Sequence, residues 1–128
     1  MDREKYMRRA LELAREAAAA GEIPVGCVIV RCGEIIGEGR NRREEKRCAT
    51  AHAEVEAIEE ACRALGDWRL SGCTLFVTLE PCPMCAGAII NARIEELVYG
   101  AREENTGSCS SVINLFEENY GHRPRIFG

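Results

Sequence analysis

Between residues 73 and 91 a β-branched apolar run, CTLFVTL, passes through Glu80-Pro81-Cys82-Pro83 straight into a helical pattern. A buried strand that hands over to a helix within four residues commits the chain to layers of helix on sheet, because each element must bury its apolar face on the other. The rest of the 128 residues repeats the theme. A stripe of Tyr6, Met7, Ala10, Leu11, Leu13, Ala14, Ala17 and Ala18 predicts a helix over residues 2–20, stopped by Gly21 and Pro24. Residues 25–31 and 34–40 read as a hairpin turned at Cys32-Gly33, and residues 41–50 (NRREEKRCAT) as a polar loop. A second helix is expected over residues 51–65, with Thr50 as N-cap and Gly66 as stop. Residues 97–100 give another strand, 101–110 a loop, then a short helical segment to about Glu118 and a weak last strand at 123–127. Strands alternating with helices after a hairpin imply an α/β fold: a mixed sheet of about five strands between helices, in one domain over residues 1–128.

Composition narrows the class. Seventeen Lys and Arg against 21 Asp and Glu leave a net charge of -4, so any attraction to nucleic acid must come from a local patch. Arg40, Arg42, Arg43, Lys46, Arg47 and Arg102 are the residues that could form such a rim, although Glu44 and Glu45 share the segment. Eight cysteines would mean a disulfide framework in a short secreted chain, but residues 2–16 are peppered with charge where a signal peptide would be apolar. Reduced thiols or metal ligands are the better reading. No apolar run approaches the roughly 20 residues of a membrane span, and a soluble, cytoplasmic protein is expected.

Two short constellations carry chemistry. His52-Ala53-Glu54 opens the second helix, and on a helical wheel Glu54 falls in the arc of Val55, Ile58, Ala61, Cys62 and Leu65, so its carboxylate points inward. A buried carboxylate needs a partner or a task; the plain alternative is that it complements the helix dipole. His52 lies with polar residues and reaches a site only by standing at the helix start. The second constellation, Pro81-Cys82-Pro83-Met84-Cys85, places two thiols where free helix N–H groups lower thiol pKa. Alone it also reads as a redox pair or half of a four-cysteine zinc site. Cys27, Cys32, Cys62 and Cys73 are too dispersed for the latter, and Cys48 and Cys109 are the remaining cysteines closest to the expected site. One His and two Cys make three zinc ligands with a fourth position open, the pattern of catalytic zinc, and Glu54 is placed to move protons there. H-x-E followed by P-C-x-x-C is the signature of zinc deaminases. One Zn2+ per chain and no organic cofactor are expected.

At this point the sequence resembles the bacterial tRNA-specific adenosine deaminases, members of the cytidine and deoxycytidylate deaminase superfamily. The resemblance rests on Gly21-Glu22-Ile23-Pro24-Val25-Gly26, Asn41-Arg42, Thr50-Ala51-His52-Ala53-Glu54, Trp68-Arg69-Leu70, the run at 74–94, Val98-Tyr99-Gly100-Ala101-Arg102 and Thr106-Gly107-Ser108. Part of 74–94 is shared with guanine and cytosine deaminases. The resemblance implies the three-layer α/β/α cytidine-deaminase-like fold and deamination of a wobble adenosine to inosine in a tRNA anticodon stem-loop. It also implies substrate contacts from Ile23, Val25, Asn41 and Glu103, and a homodimer whose subunits complete each other's sites. Family members continue past the segment matching residues 122–128 into a basic C-terminal helix, whereas this sequence stops at Phe127-Gly128, so weakened RNA affinity and uncovered apolar surface are expected. A deaminase of a free base or nucleotide, or of single-stranded DNA, is the alternative enzyme, and a non-catalytic zinc-stabilised binding module the alternative class.

Overall fold

A computed structural model describes residues 1–128. The first helix, α1 (Arg3–Ala19), begins where Asp2 accepts the Lys5 N–H at 3.1 Å, and buries Tyr6, Ala10, Leu13, Ala14 and Ala17. Strands β1 (Gly26–Arg31) and β2 (Glu34–Arg40) form the expected hairpin. Its two turn residues, Cys32 and Gly33, both have positive φ, 51° and 79°, as a two-residue turn matching the strand twist requires. After β2 come a one-turn helix α2 (Arg43–Lys46), helix α3 (Ala53–Leu65), strand β3 (Cys73–Leu79) and helix α4 (Pro83–Asn91). Strand β4 (Glu96–Ala101), a 3₁₀ turn at Leu115–Glu117 and strand β5 (Arg125–Phe127) complete the order.

The five strands lie in the order β2-β1-β3-β4-β5. β1 is antiparallel to β2 and β3, whereas β3, β4 and β5 run parallel, so the sheet is mixed. Alternation along the central strands separates two cores. Val28, Val30 and Phe76 face α1 with Tyr6 and Leu13, and Cys27, Ile29, Leu75, Val77 and Leu97 face α3 and α4. Three layers follow, with the sheet buried on both sides. α3 lies close on β2: a Cβ at Gly37 would stand 2.3 Å from the Ala57 carbonyl oxygen, and one at Gly39 2.2 Å from that of Ala53. With Ala53, Ala57 and Ala61 as its buried ridge, α3 is held against the hairpin along its length, which fixes where its first turn points.

Three local expectations differ from the structure. Residues 41–50 hold α2 instead of continuous loop, because the buried Glu22 carboxylate accepts the N–H groups of Glu44 and Glu45 at 3.0 and 2.7 Å and nucleates a turn. That long-range cap is invisible to local pattern. α3 starts at Ala53 with His52, not Thr50, as N-cap, since the Thr50 hydroxyl is engaged with the Cys48 thiol at 3.3 Å. The helical segment before Glu118 shrinks to the single 3₁₀ turn, because Cys109 and Asn114 form a β-bridge that keeps the chain extended around it.

Candidate active site

The first turns of α3 and α4 meet at one end of the sheet. Each is led by a residue with extended backbone, His52 (ψ 157°) and Cys82 (ψ 172°), and neither side chain caps its own helix. An N-cap side chain that does not fold back is free to reach beyond the helix end, and these two reach toward each other. His52 Nδ1 lies 3.7 Å from Cys82 Sγ and 3.5 Å from Cys85 Sγ. All three donor atoms fall within 4.8 Å of one another. Tetrahedral zinc with Zn–S near 2.3 Å and Zn–N near 2.05 Å would set an N···S edge of about 3.6 Å, so the donors already stand at the spacing that ion needs. Pro83 at the helix start removes an N–H that would have had no partner, and the N–H groups of Met84 and Cys85 bond to the Cys82 sulfur.

The electrostatics agree with the donor set. The Cys82 thiol is lowered to about 5, first by the hydrogen bond it accepts from the Cys85 thiol, then by the N–H groups of Cys85 and Met84 and by His52, against the opposing effect of burial. Cys85 is raised by the same bond and by its burial, so the first proton is the easier one to remove from the pair. Binding of a divalent cation displaces thiol protons, and a donor set of His, Cys and Cys fits such an ion.

Glu54 is 4% exposed and lies in the first turn of α3. Burial pushes its carboxyl up to about 7, with the Cys82 sulfur adding to the rise and the hydrogen bonds of its own N–H and of Cys85 opposing it. A carboxyl poised near neutrality can both take and give a proton. Glu54, His52 and Cys82 line a cleft of about 350 Å³. Ile23, Val25, Asn41 and Glu103 line the same cleft, so the structure brings together every candidate residue; Cys85 lies buried beneath it. Ile23 is half exposed, Val25 half-buried, Asn41 buried and Glu103 half-buried. The Asn41 side chain accepts the Arg43 N–H at 3.2 Å, and its backbone N–H donates to Val25 at 3.2 Å, which ties the apolar wall to the start of α2.

Arg43 of the expected rim and Thr106 of the family-like segment also line the cleft, as do Glu80 and Asn105, to which the sequence assigned no role. For Glu80 a signal existed: an acidic residue ends an otherwise apolar strand. Its carboxylate is 2% exposed and accepts the N–H groups of Glu103, Cys109 and Ser111 and the Ser111 hydroxyl. Burial raises its pKa, but the bonds from Ser111, Cys109 and Glu103 prevail and hold it below the usual carboxylate range. The basic rim is thinner than the sequence implied. Arg40 and Arg42 pair with Glu45, each at 2.8 Å, and Lys46 with Glu56 at 2.8 Å, leaving Arg43 at the cleft, Arg47 and Arg102 without carboxylate partners, the last donating to the Ser111 hydroxyl at 3.2 Å. The eight cysteines are all free thiols. No helix is long and apolar enough to cross a membrane.

Residues 1–125 match the MafB19-like deaminase family. The tRNA-specific adenosine deaminase of Bacillus subtilis (strain 168) is 48% identical over 124 residues, covering 96% of this chain and 77% of that protein. A structure solved in a study of A-to-I editing by tRNA:A34 deaminases at the wobble position of transfer RNA superposes with a TM-score of 0.96 at 43% identity, over 99% of this chain and 98% of that one. The guanine deaminase of Bacillus subtilis superposes with a TM-score of 0.77 at 47% identity, over 80% of this chain and 66% of that one.

Proposed function

This chain belongs to the MafB19-like deaminases and to the tRNA-specific adenosine deaminases, and from that membership we propose that it hydrolyses the wobble adenosine of a tRNA anticodon to inosine, releasing ammonia. The observation that carries the reading is the superposition on the tRNA:A34 deaminase structure, which runs the length of both chains, whereas the likeness to guanine deaminase leaves a third of that enzyme unmatched. In this reading residues 1–128 act as one zinc-dependent domain, and the protein works in the cytoplasm as a homodimer on an anticodon stem-loop.

His52, Cys82 and Cys85 hold one zinc ion, for which their spacing and the lowered Cys82 pKa are the support. When bound, zinc supplies a Lewis acid that lowers the pKa of water from about 15.7 toward about 7. The reaction adds water at C6 and expels the amine; of the two water protons, one ends on N1 and the other leaves in ammonia. Glu54 relays both, because its buried carboxyl sits near neutrality at the edge of the cleft. Ile23 and Val25 offer the base an apolar wall, Asn41 beside Val25 a side-chain amide and Glu103 a polar edge. A flipped nucleotide suits a cleft of this kind better than a long RNA track does, since Arg40 and Arg42 beside it are engaged with Glu45.

The test is incubation of the zinc-loaded protein with an anticodon stem-loop carrying adenosine at the wobble position, followed by nuclease digestion and mass spectrometry. Inosine at that position is the expected product. Parallel samples hold free guanine, free cytosine and a single-stranded DNA of the same sequence. An unchanged stem-loop with ammonia released from guanine would replace this reading with a free-base deaminase.

A further inference from the structure

Glu80 stands directly before the segment that carries Cys82 and Cys85, yet its side chain turns away from the sulfurs and into the loop that follows β4. Its Oε1 accepts the Glu103 N–H at 3.2 Å and the Ser111 hydroxyl; its Oε2 accepts the N–H groups of Cys109 at 2.7 Å and Ser111 at 3.2 Å. Four donors from one nine-residue stretch converge on a single carboxylate. Backbone bonds flank it on both sides, Glu80 N–H to Ala101 at 2.8 Å and Ser108 N–H to Pro81 at 2.9 Å. The cradle has no slack, for a Cβ at Gly107 would stand 2.5 Å from Glu80 Cδ. The loop so gathered presents Glu103, Asn105 and Thr106 to the cleft.

We propose that Glu80 is a positioning residue: its carboxylate locks the loop 103–111 to the strand end that precedes Cys82, and so sets the loop-side wall of the cleft against the floor formed by His52, Cys82 and Glu54. Chemistry requires a carboxylate here. Three backbone N–H groups and a hydroxyl all need acceptors, and the two carboxylate oxygens supply them without a donor of their own. An amide in its place keeps one oxygen for the Cys109 and Ser111 N–H groups and turns its NH2 toward the Ser111 hydroxyl, which can accept. The Glu103 N–H is then left facing a donor, so the loop is released first at the end that lines the cleft.

The experiment compares wild type with Glu80→Gln and Ser111→Ala in zinc-loaded protein by two measurements. Amide hydrogen exchange needs no substrate, whereas steady-state kinetics on the anticodon stem-loop rests on the activity proposed above. In Glu80→Gln the Glu103 amide is expected to exchange about tenfold or more faster, the loss of a charge-assisted bond, while zinc stays at one per chain. KM is expected to rise by about tenfold, and by more than kcat falls, because the wall contacts substrate and takes no part in proton transfer. Ser111→Ala, which removes one donor to the Glu80 carboxylate and with it the acceptor of the exposed Arg102 Nε–H, but leaves the carboxylate intact, is expected to move both readouts the same way by a smaller factor, and carries the test if Glu80→Gln does not fold. Unchanged exchange across residues 103–111 would overturn the proposal, as would faster exchange with KM unaltered. If wild type leaves the stem-loop unconverted, the assigned activity falls and the exchange measurement alone decides: protection lost supports the lock and protection kept refutes it.

Discussion

Glu54 and Glu80 are almost equally withdrawn from solvent, 4% and 2% exposed, and both flank the candidate metal ligands, yet the chain around them treats them in opposite ways. Glu54 sits on the apolar ridge of a helix beside a sulfur, and burial pushes it up to about 7. Glu80 sits at a strand end where a loop wraps it with N–H and O–H donors, and it stays ionised below the usual range. Burial by itself therefore does not say what an acidic residue is for. The count of donors does: a carboxylate short of donors keeps its proton mobile and suits acid–base work, whereas one saturated with donors is a fixed anion that organises backbone.

The widest separation between the two is expected when the metal ligands are removed. Cys85→Ala takes away one of three donors; zinc content is expected to fall to near zero by metal analysis and inosine formation to vanish with it. Glu54→Gln keeps the shape and the ligands, so zinc content is expected to hold at one per chain while kcat on the stem-loop drops by about 10²–10⁴, the usual contribution of a positioned acid–base group. If Glu54→Gln instead loses its zinc and recovers activity when zinc is supplied in excess, Glu54 belongs with the ligands and the contrast with Glu80 is lost.

Titration of the metal-free protein sharpens the contrast without any turnover. Carbon-detected NMR of labelled glutamates is expected to show Glu54 with a midpoint about 7 and Glu80 below the ordinary range. The stability effects have opposite signs. Glu54, raised when folded, costs the folded state nothing below its ordinary 4.5; the cost grows as pH climbs to about 7 and then levels off. The stability advantage of Glu54→Gln over wild type in urea should widen across that window, by something on the order of 3 kcal/mol at about 1.4 kcal/mol per pH unit. Glu80, lowered when folded, contributes stability above the ordinary carboxylate pKa that is lost as pH falls through its folded value. A gap for Glu54→Gln that narrows with rising pH would show that donors outside those identified reach Glu54.

How much of this was legible in the sequence depends on the range over which each feature is decided. The sheet, the hairpin turn at Cys32-Gly33 and the helix that begins at Pro83 follow from local alternation and turn chemistry, and the structure has them where the pattern puts them. Glu54's burial was readable from the wheel because Val55, Ile58 and Ala61 lie on its own helix. Glu80 and Glu22 were not readable in that way, since their partners stand 23 to 31 and 22 to 23 positions along the chain and, the Ser111 hydroxyl apart, are backbone N–H groups, which leave no trace in residue identity. The same limit hid α2, which exists because Glu22 caps it from a distance. The apparent basic rim failed differently: all the charges were visible, but the pairing of Arg40 and Arg42 with Glu45 depends on α2 bringing them to one side.

A third carboxylate gives the smallest of the expected effects and tests whether donor count matters without burial. Glu38 on β2 faces Arg9 of α1, with Nε at 2.6 Å and Nη2 at 2.9 Å, and the hydrogen bonds to that guanidinium lower its pKa against the burial that would raise it. It shares the sign of Glu80, but both side chains are about a third exposed, at 31% and 33%, so solvent already offers the carboxylate most of what Arg9 offers. A double-mutant cycle of Glu38→Gln with Arg9→Gln is expected to give a coupling of about 0.5–1 kcal/mol in urea unfolding, shrinking as salt is raised. A coupling several times larger and insensitive to salt would mean that a bidentate clamp at the surface can organise the fold as a buried anion does, and donor count would then outrank burial in deciding what a carboxylate does here.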